Sequence, residues 1–218
     1  MIGVVPFGLA YGIVASQTGL SIAETTLMSL VVFAGAAQFM AVSMLQSGVS
    51  VPFIVLSTLM INLRHLLMGL SLSPYLKKQK SIWHYLLAFG MVDESYATTV
   101  SHYQSSESDQ SNPYFMLGSA AGLYAFWAAS SVAGGLLGRS IKDPLSWGLD
   151  FAMPATFLSL LIPQIKSKRI LTVAVAAGVA AVAAYLLIPG KWYIIIATLG
   201  ATALGTLMEI AGEGRRSD

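Results

Sequence analysis

From Val173 to Ile188 the chain runs without interruption through apolar and small residues, with no charge to wet one face of a helix or the outward side of a strand. A membrane β-barrel would alternate apolar and polar positions over about ten residues, so this pattern points to a helix buried on every side. The rest of the chain agrees. Only 10% of its 218 residues are charged, against roughly 25% in soluble domains. The surface of a 218-residue chain therefore faces lipid, and the fold class is all-α, a polytopic helical membrane protein. Disordered, coiled-coil and disulfide-stapled classes fall with the same observations, since the chain has no cysteine and far too much apolar residue. Net charge is +2, but the basic residues sit in short connectors, where they report topology and not a nucleic-acid partner. The first residues, Met1 to Pro6, have neither the basic stretch nor the cleavage site of a removable signal.

A hydrocarbon layer about 30 Å thick takes about 20 helical residues to cross. Cutting the chain at turn residues and charges gives eight segments: 2–17, 22–45, 50–72, 82–103, 113–138, 148–165, 170–188 and 192–211. The first and sixth are short and carry Pro6 and Pro154, which leaves seven or eight spans, with those two broken or re-entrant. Lys77, Lys78 and Lys80 place the third connector in the cytoplasm, the acidic loop with Glu107 and Asp109 outside, and Arg139 with Lys142 inside again. A sixth segment that returns to its own side around Pro154 would keep Lys166, Lys168, Arg169, Arg215 and Arg216 cytoplasmic as well. Tyr75, Trp83, Tyr85, Trp147, Trp192 and Tyr193 lie at segment ends, where amphipathic rings anchor at the headgroups.

No soluble linker or low-complexity tract divides the chain, so residues 1–218 read as a single transmembrane domain. Pro6-Phe7-Gly8 and Asp150-Phe151-Ala152-Met153-Pro154 open its two halves in slightly similar ways. Interrupted segments in corresponding places of two halves mark transporters with inverted repeats.

Charges inside such segments cost about 2.5–3.5 kcal/mol each on insertion scales and need a reason to persist. Arg64, His65, Asp93 and Glu94 stand out. Arg64 precedes the lysine loop by about as many residues as Asp93 follows it, so in an antiparallel hairpin the two share a depth near the bilayer centre. One reading is a structural clamp between two helices; the other is a site on a water-filled cavity, with arginine taking a carboxylate and an acid exchanging a proton. His65 suits either a proton relay or an interhelical hydrogen bond, and Glu94 has the same two readings. Asn62, two residues before Arg64, and Gln38, set among small residues in Phe33-Ala34-Gly35-Ala36-Ala37-Gln38-Phe39, are either interhelical bonds or part of the same site. Pro6, Phe7 and Gly8 either kink the first helix or break it, and a break would offer backbone N–H groups to a carboxylate. No Walker lysine motif, zinc-binding histidine pair or nucleophile elbow is present, and one histidine beside two acids on different helix faces is a poor metal site. Neither an enzyme nor a cofactor is expected.

Val5-Pro6-Phe7-Gly8-Leu9-Ala10-Tyr11-Gly12, Phe33 to Phe39, Asn62-Leu63-Arg64-His65, Ser71-Leu72-Ser73-Pro74-Tyr75-Leu76, Asp93-Glu94-Ser95-Tyr96-Ala97 and Leu149 to Pro154 together resemble the AzlC family. This family comprises the large subunits of bacterial branched-chain amino acid exporters, and the likeness covers nearly the whole chain in the right order. It implies an inner-membrane exporter of valine, leucine, isoleucine and methionine, driven by protons and working with a small AzlD-like membrane subunit. Family members carry a basic stretch and half a helix before the Pro-Phe-Gly block, and this sequence starts close to that block. Arg64 or the N–H groups near Gly8 would then hold the substrate carboxylate, Asp93 or Glu94 the ammonium group or proton, and Pro154 the second interrupted segment. A passive pore for small neutral solutes and a scaffold subunit are the alternative readings.

Overall fold

A computed structural model describes residues 2–105, 112–141, 155, 158, 161–162, 165–188 and 193–214. All regular structure among them is helical. After a 3₁₀ turn at Ile2–Val4 come α1 (Val5–Gln17), α2 (Ile22–Val31), α3 (Gly35–Gln46), α4 (Val51–Leu76), α5 (Ser81–Phe89), α6 (Asp93–Ser105), α7 (Pro113–Ser140), α8 (Lys168–Leu187) and α9 (Tyr193–Gly214). Three of them, α4, α7 and α8, are long and apolar enough to cross a membrane. Contacts divide the chain into two units, residues 1–153 and 154–218.

Local chemistry sets the helix ends. Ser21 and Glu24 close a reciprocal capping box at the start of α2, with Ser21 N–H donating to Glu24 Oε2 at 2.8 Å and Glu24 N–H to Ser21 Oγ at 3.1 Å. Asn112 caps α7 through Tyr114 N–H at 3.0 Å, and Pro113 opens it where a missing N–H costs nothing. The same rule corrects the expected break in the first segment. Pro6 occupies the first turn of α1, which continues unbroken through Phe7 and Gly8.

The interruptions lie elsewhere. The segment expected as one span over 22–45 is two half-helices, α2 and α3, separated at Val32–Ala34. Phe33 there has φ of 43°, a left-handed conformation that a bulky residue adopts at a cost of roughly 1–2 kcal/mol. Burial offsets it: the Phe33 ring, 5% exposed, meets Tyr124 of α7 edge-on at 5.0 Å and Phe89 at 6.4 Å. Tyr124 also donates its hydroxyl to the Leu30 carbonyl at 2.9 Å, satisfying an acceptor freed at the end of α2. The segment expected over 82–103 is likewise two half-helices, α5 and α6, parted at Gly90–Val92. Ser95 Oγ bridges that gap, accepting from Val92 N–H and donating to the Gly90 carbonyl, both at 2.9 Å. Since the Phe89 ring packs against Tyr124 in a tilted arrangement at 5.8 Å, both interruptions touch one residue of α7. The Pro154 region, expected as the sixth segment's break, lies outside the described residues.

In the first unit α1 lies along α7 with almost no side chain between them. A Cβ on Gly12 would come within 2.2 Å of the Ser131 carbonyl oxygen, and one on Gly134 within 2.2 Å of the Leu9 carbonyl oxygen, so only glycine permits the approach. A second cluster, Met68, Leu72, Leu76, Leu87, Met91, Tyr103 and Met116, ties α4, α5 and α6 to α7. In the second unit α8 and α9 pack on each other, with Ser167 capping α8 through Ile170 N–H at 3.2 Å and Tyr185 meeting Tyr193 edge-on at 5.6 Å. Only 6% of the apolar stretch of α8 is buried within the chain, as suits a surface facing lipid.

Candidate functional site

Arg64 is near the middle of the 26-residue α4, more than ten residues from either end. Asp93 is the first residue of α6, immediately after the Gly90–Val92 interruption. Asp93 Oδ2 lies 2.5 Å from Arg64 Nη1, and the side chains are 40% and 29% exposed. Local features position Asp93: Gly90 lets the α5 end approach α7, where a Cβ would sit 2.6 Å from that of Ala120, and Ser95 Oγ caps the first turn of α6 by accepting from Val92 N–H. The carboxylate therefore meets both a guanidinium and the positive end of a helix.

The pairing leaves polar atoms over. Arg64 Nε and Asn62 Oδ1 are buried and have no hydrogen-bond partner among the described residues. His65 Nδ1 lies 3.1 Å from the Asn62 carbonyl and donates to it in the tautomer that protonates that nitrogen. Of these residues the structure brings Arg64 and Asp93 into contact, while His65 bonds back to its own helix and Asn62 lies one half-turn before Arg64 on α4. Glu94 is exposed and makes no ion pair among the described residues.

Gln38 belongs to a different network. Fully buried, it accepts from Trp127 Nε1 at 3.0 Å and donates through Nε2 to Ser29 Oγ at 3.0 Å, which donates onward to Ser131 Oγ at 2.9 Å. Tyr11 stacks on Trp127 at 5.9 Å and meets Phe39 edge-on at 5.8 Å, closing this network from the α1 side. Gly8 also serves α1 packing, because a Cβ there would strike Ser130 Oγ at 1.9 Å, while Pro6 is exposed and Phe7 half-buried. Reasoning from sequence missed Trp127, Ser29, Ser131 and Tyr124. An indole in a helix rich in small residues was the available signal, since a buried Trp N–H needs an acceptor. No group of three or more His, Asp or Glu that could hold a metal occurs among the described residues.

Interrupted helices around a charged pair at mid-span define an integral membrane protein with a polar centre. The family model described as AzlC protein matches residues 1–141, ending just as α7 ends. A Bacillus subtilis (strain 168) protein named "Branched-chain amino acid transport protein AzlC" is 30% identical over 92% of this chain and 78% of its own length. An uncharacterized membrane protein of Archaeoglobus fulgidus is 33% identical over 92% of the chain and 86% of its own length, and the Escherichia coli (strain K12) inner membrane protein YgaZ is 29% identical over 81% and 73%. This chain belongs to the AzlC family and is a multi-pass inner-membrane protein. No solved structure matches it.

Proposed function

We propose that this chain is a secondary transporter that exports valine, leucine, isoleucine and methionine across the inner membrane. Protons drive it, and a small AzlD-like membrane subunit completes it. The name of the Bacillus subtilis relative supports the substrate class. Paired interrupted helices support the transport mechanism, because such breaks expose backbone groups at membrane depth only where protein or a cavity surrounds them.

One observation carries the reading: the Arg64–Asp93 pair is partly exposed and leaves Arg64 Nε unused. Inserting each charge costs about 2.5–3.5 kcal/mol, and ionisable groups at membrane depth pair with one another and mark substrate or ion pathways. A guanidinium has five N–H donors and a carboxylate engages two at most. Arg64 can therefore receive a substrate carboxylate beside Asp93, while Asp93 meets the α-ammonium group or the coupling proton.

The test is counterflow of radiolabelled leucine in proteoliposomes, with and without the small subunit, at two imposed pH gradients. Wild-type counterflow should depend on the partner and respond to pH, and Arg64→Ala should fall to the level of empty liposomes while eluting as a folded protein. Equal loss of transport and folded protein would instead assign the pair to a clamp. Transport indifferent to the gradient and without counterflow would indicate a pore.

A further inference from the structure

Contacts along α4 fix the directions of the half-helices beside it. On α6, Asp93 pairs with Arg64, the Tyr96 hydroxyl donates to Ser71 Oγ at 2.9 Å, and the Tyr103 ring lies 5.4 Å from that of Tyr75. Both sets of residue numbers rise together, so α6 runs parallel to α4, toward the lysine loop. On α5, His84 Nε2 is 3.0 Å from the Leu76 carbonyl, and Met91 Cε would stand 3.7 Å from a Cβ on Gly69, so α5 runs the opposite way. The pair therefore enters from the lysine end, turns at Gly90–Val92 and leaves by the same end. α7 starts there too: Tyr114 meets Trp83 edge-on at 4.8 Å, and the Asn112 carbonyl accepts from the Tyr103 hydroxyl at 2.7 Å. The sequence placed the acidic connector on the face opposite the lysines, whereas these contacts bring Tyr103 and Asn112, which flank it, to the lysine face.

From Asp93 to Tyr103 α6 rises about 15 Å, from the depth of Arg64 to that of Tyr75, which the sequence marks as a headgroup anchor. Over that depth its outward face is Glu94, Ala97, Thr98 and Ser101, all exposed and spaced by one, three or four residues. None of the exposed large apolar residues lies on α6. The neighbouring α4 does the reverse between Arg64 and Ser71, with Leu66, Leu67 and Leu70 each more than half exposed. Thr98 donates to the Glu94 carbonyl at 2.7 Å, but the Glu94 carboxylate makes no ion pair among the described residues. Ionisable groups at membrane depth face a bundle interior or a water-filled cavity. The leucine face of α4 suits lipid, and the α6 face suits water.

We propose that this face of α6 lines a water-filled approach from the lysine end of the fold to the Arg64–Asp93 pair, by which the zwitterionic backbone of the transported amino acid reaches it. Asp93 and Glu94 are adjacent in the first turn of α6, and the Asp93 side chain is itself 40% exposed, so the polar face begins beside the pair. A partner helix on that face would have to bring a cation for Glu94, whereas water solvates the carboxylate unaided. The inference rests on the transport reading above and adds to it the route and the side from which the pair is loaded.

The chain has no cysteine, so single ones can be introduced and read without background. Ala97→Cys and Ser101→Cys are compared in membrane vesicles of both orientations that hold the full chain and the small subunit. Lys78→Cys marks the lysine face, Ser47→Cys, between α3 and α4, the other face, and Leu67→Cys the lipid surface. A membrane-impermeant maleimide should label Ala97→Cys and Ser101→Cys only from the side that labels Lys78→Cys, and about tenfold faster than Leu67→Cys, because a thiol in apolar surroundings stays protonated. The attached label should also stop leucine counterflow. Each position carries the test alone if the other yields too little folded protein. Labelling from the Ser47→Cys side would overturn the inference, as would rates no higher than that of Leu67→Cys, or labelling that the small subunit abolishes. Labelling that leaves counterflow intact would overturn the route. Absence of wild-type counterflow beside lysine-side labelling would overturn the transport reading and leave the wet face standing.

Discussion

Two parts of the first unit treat polar groups in opposite ways. Where α1, α2, α3 and α7 meet, Gln38, Ser29, Ser131 and Trp127 are buried and bonded to one another. Along α4, α5 and α6 the ion pair is partly open and Asn62 Oδ1 and Arg64 Nε have no partner among the described residues. The helices differ to match: 39% of the most apolar stretch of α7 is buried, and 17% of that of α4. A satisfied buried network specifies packing, whereas a partly exposed ion pair keeps donors and acceptors within reach of a ligand. The α1–α7 side reads as frame and the α4–α6 side as working surface.

That contrast predicts where substitutions harm folding and where they harm transport. The largest effect on folding belongs to Gly134→Val, which drives a side chain into the Leu9 backbone at a contact that cannot yield. We expect loss of the monodisperse peak in detergent, whereas Gly118→Ala, with nothing within 4 Å of its new Cβ, should elute unchanged. Next comes Gln38→Leu, which strands the Trp127 N–H and removes the acceptor side of a buried network. A buried donor left unsatisfied costs about 1–3 kcal/mol, seen as a lower melting temperature, with counterflow per folded molecule kept. Transport falling while the melting temperature held would move Gln38 to the working surface. The smallest is Tyr124→Phe, which forfeits one hydrogen bond to Leu30 and should lower stability by about 0.5–1.5 kcal/mol.

The sequence made some of this legible because it depends on spacing. Equal distances from the lysine loop bring Arg64 to Asp93, and apolar length alone marks α4, α7 and α8. The interruptions were not legible for the opposite reason. Val32-Phe33-Ala34 contains no proline or glycine, and its left-handed residue is held by rings from Phe89 and Tyr124, more than fifty residues away in the chain. Pro6 misled because proline disrupts a helix only in its interior, and here it lies in the first turn. Gly90, with acids opening α6 and Ser95 reaching back, did carry a helix-start signal, but within an otherwise apolar run it reads as a tolerated glycine.

The glycine contact between α1 and α7 also bears on how the protein is made. Gly12 and Ser131 touch although more than a hundred residues of chain separate them. At synthesis rates of about 5–20 residues per second, α1 waits roughly 5–25 s for the surface it fits. Throughout that interval the hydroxyls of Ser130 and Ser131 have yet to arrive, and Tyr11 has neither Trp127 to stack on nor a finished core around it. Assembly of the frame is therefore a late event in biogenesis, reached only after α4, α5 and α6 have been synthesised.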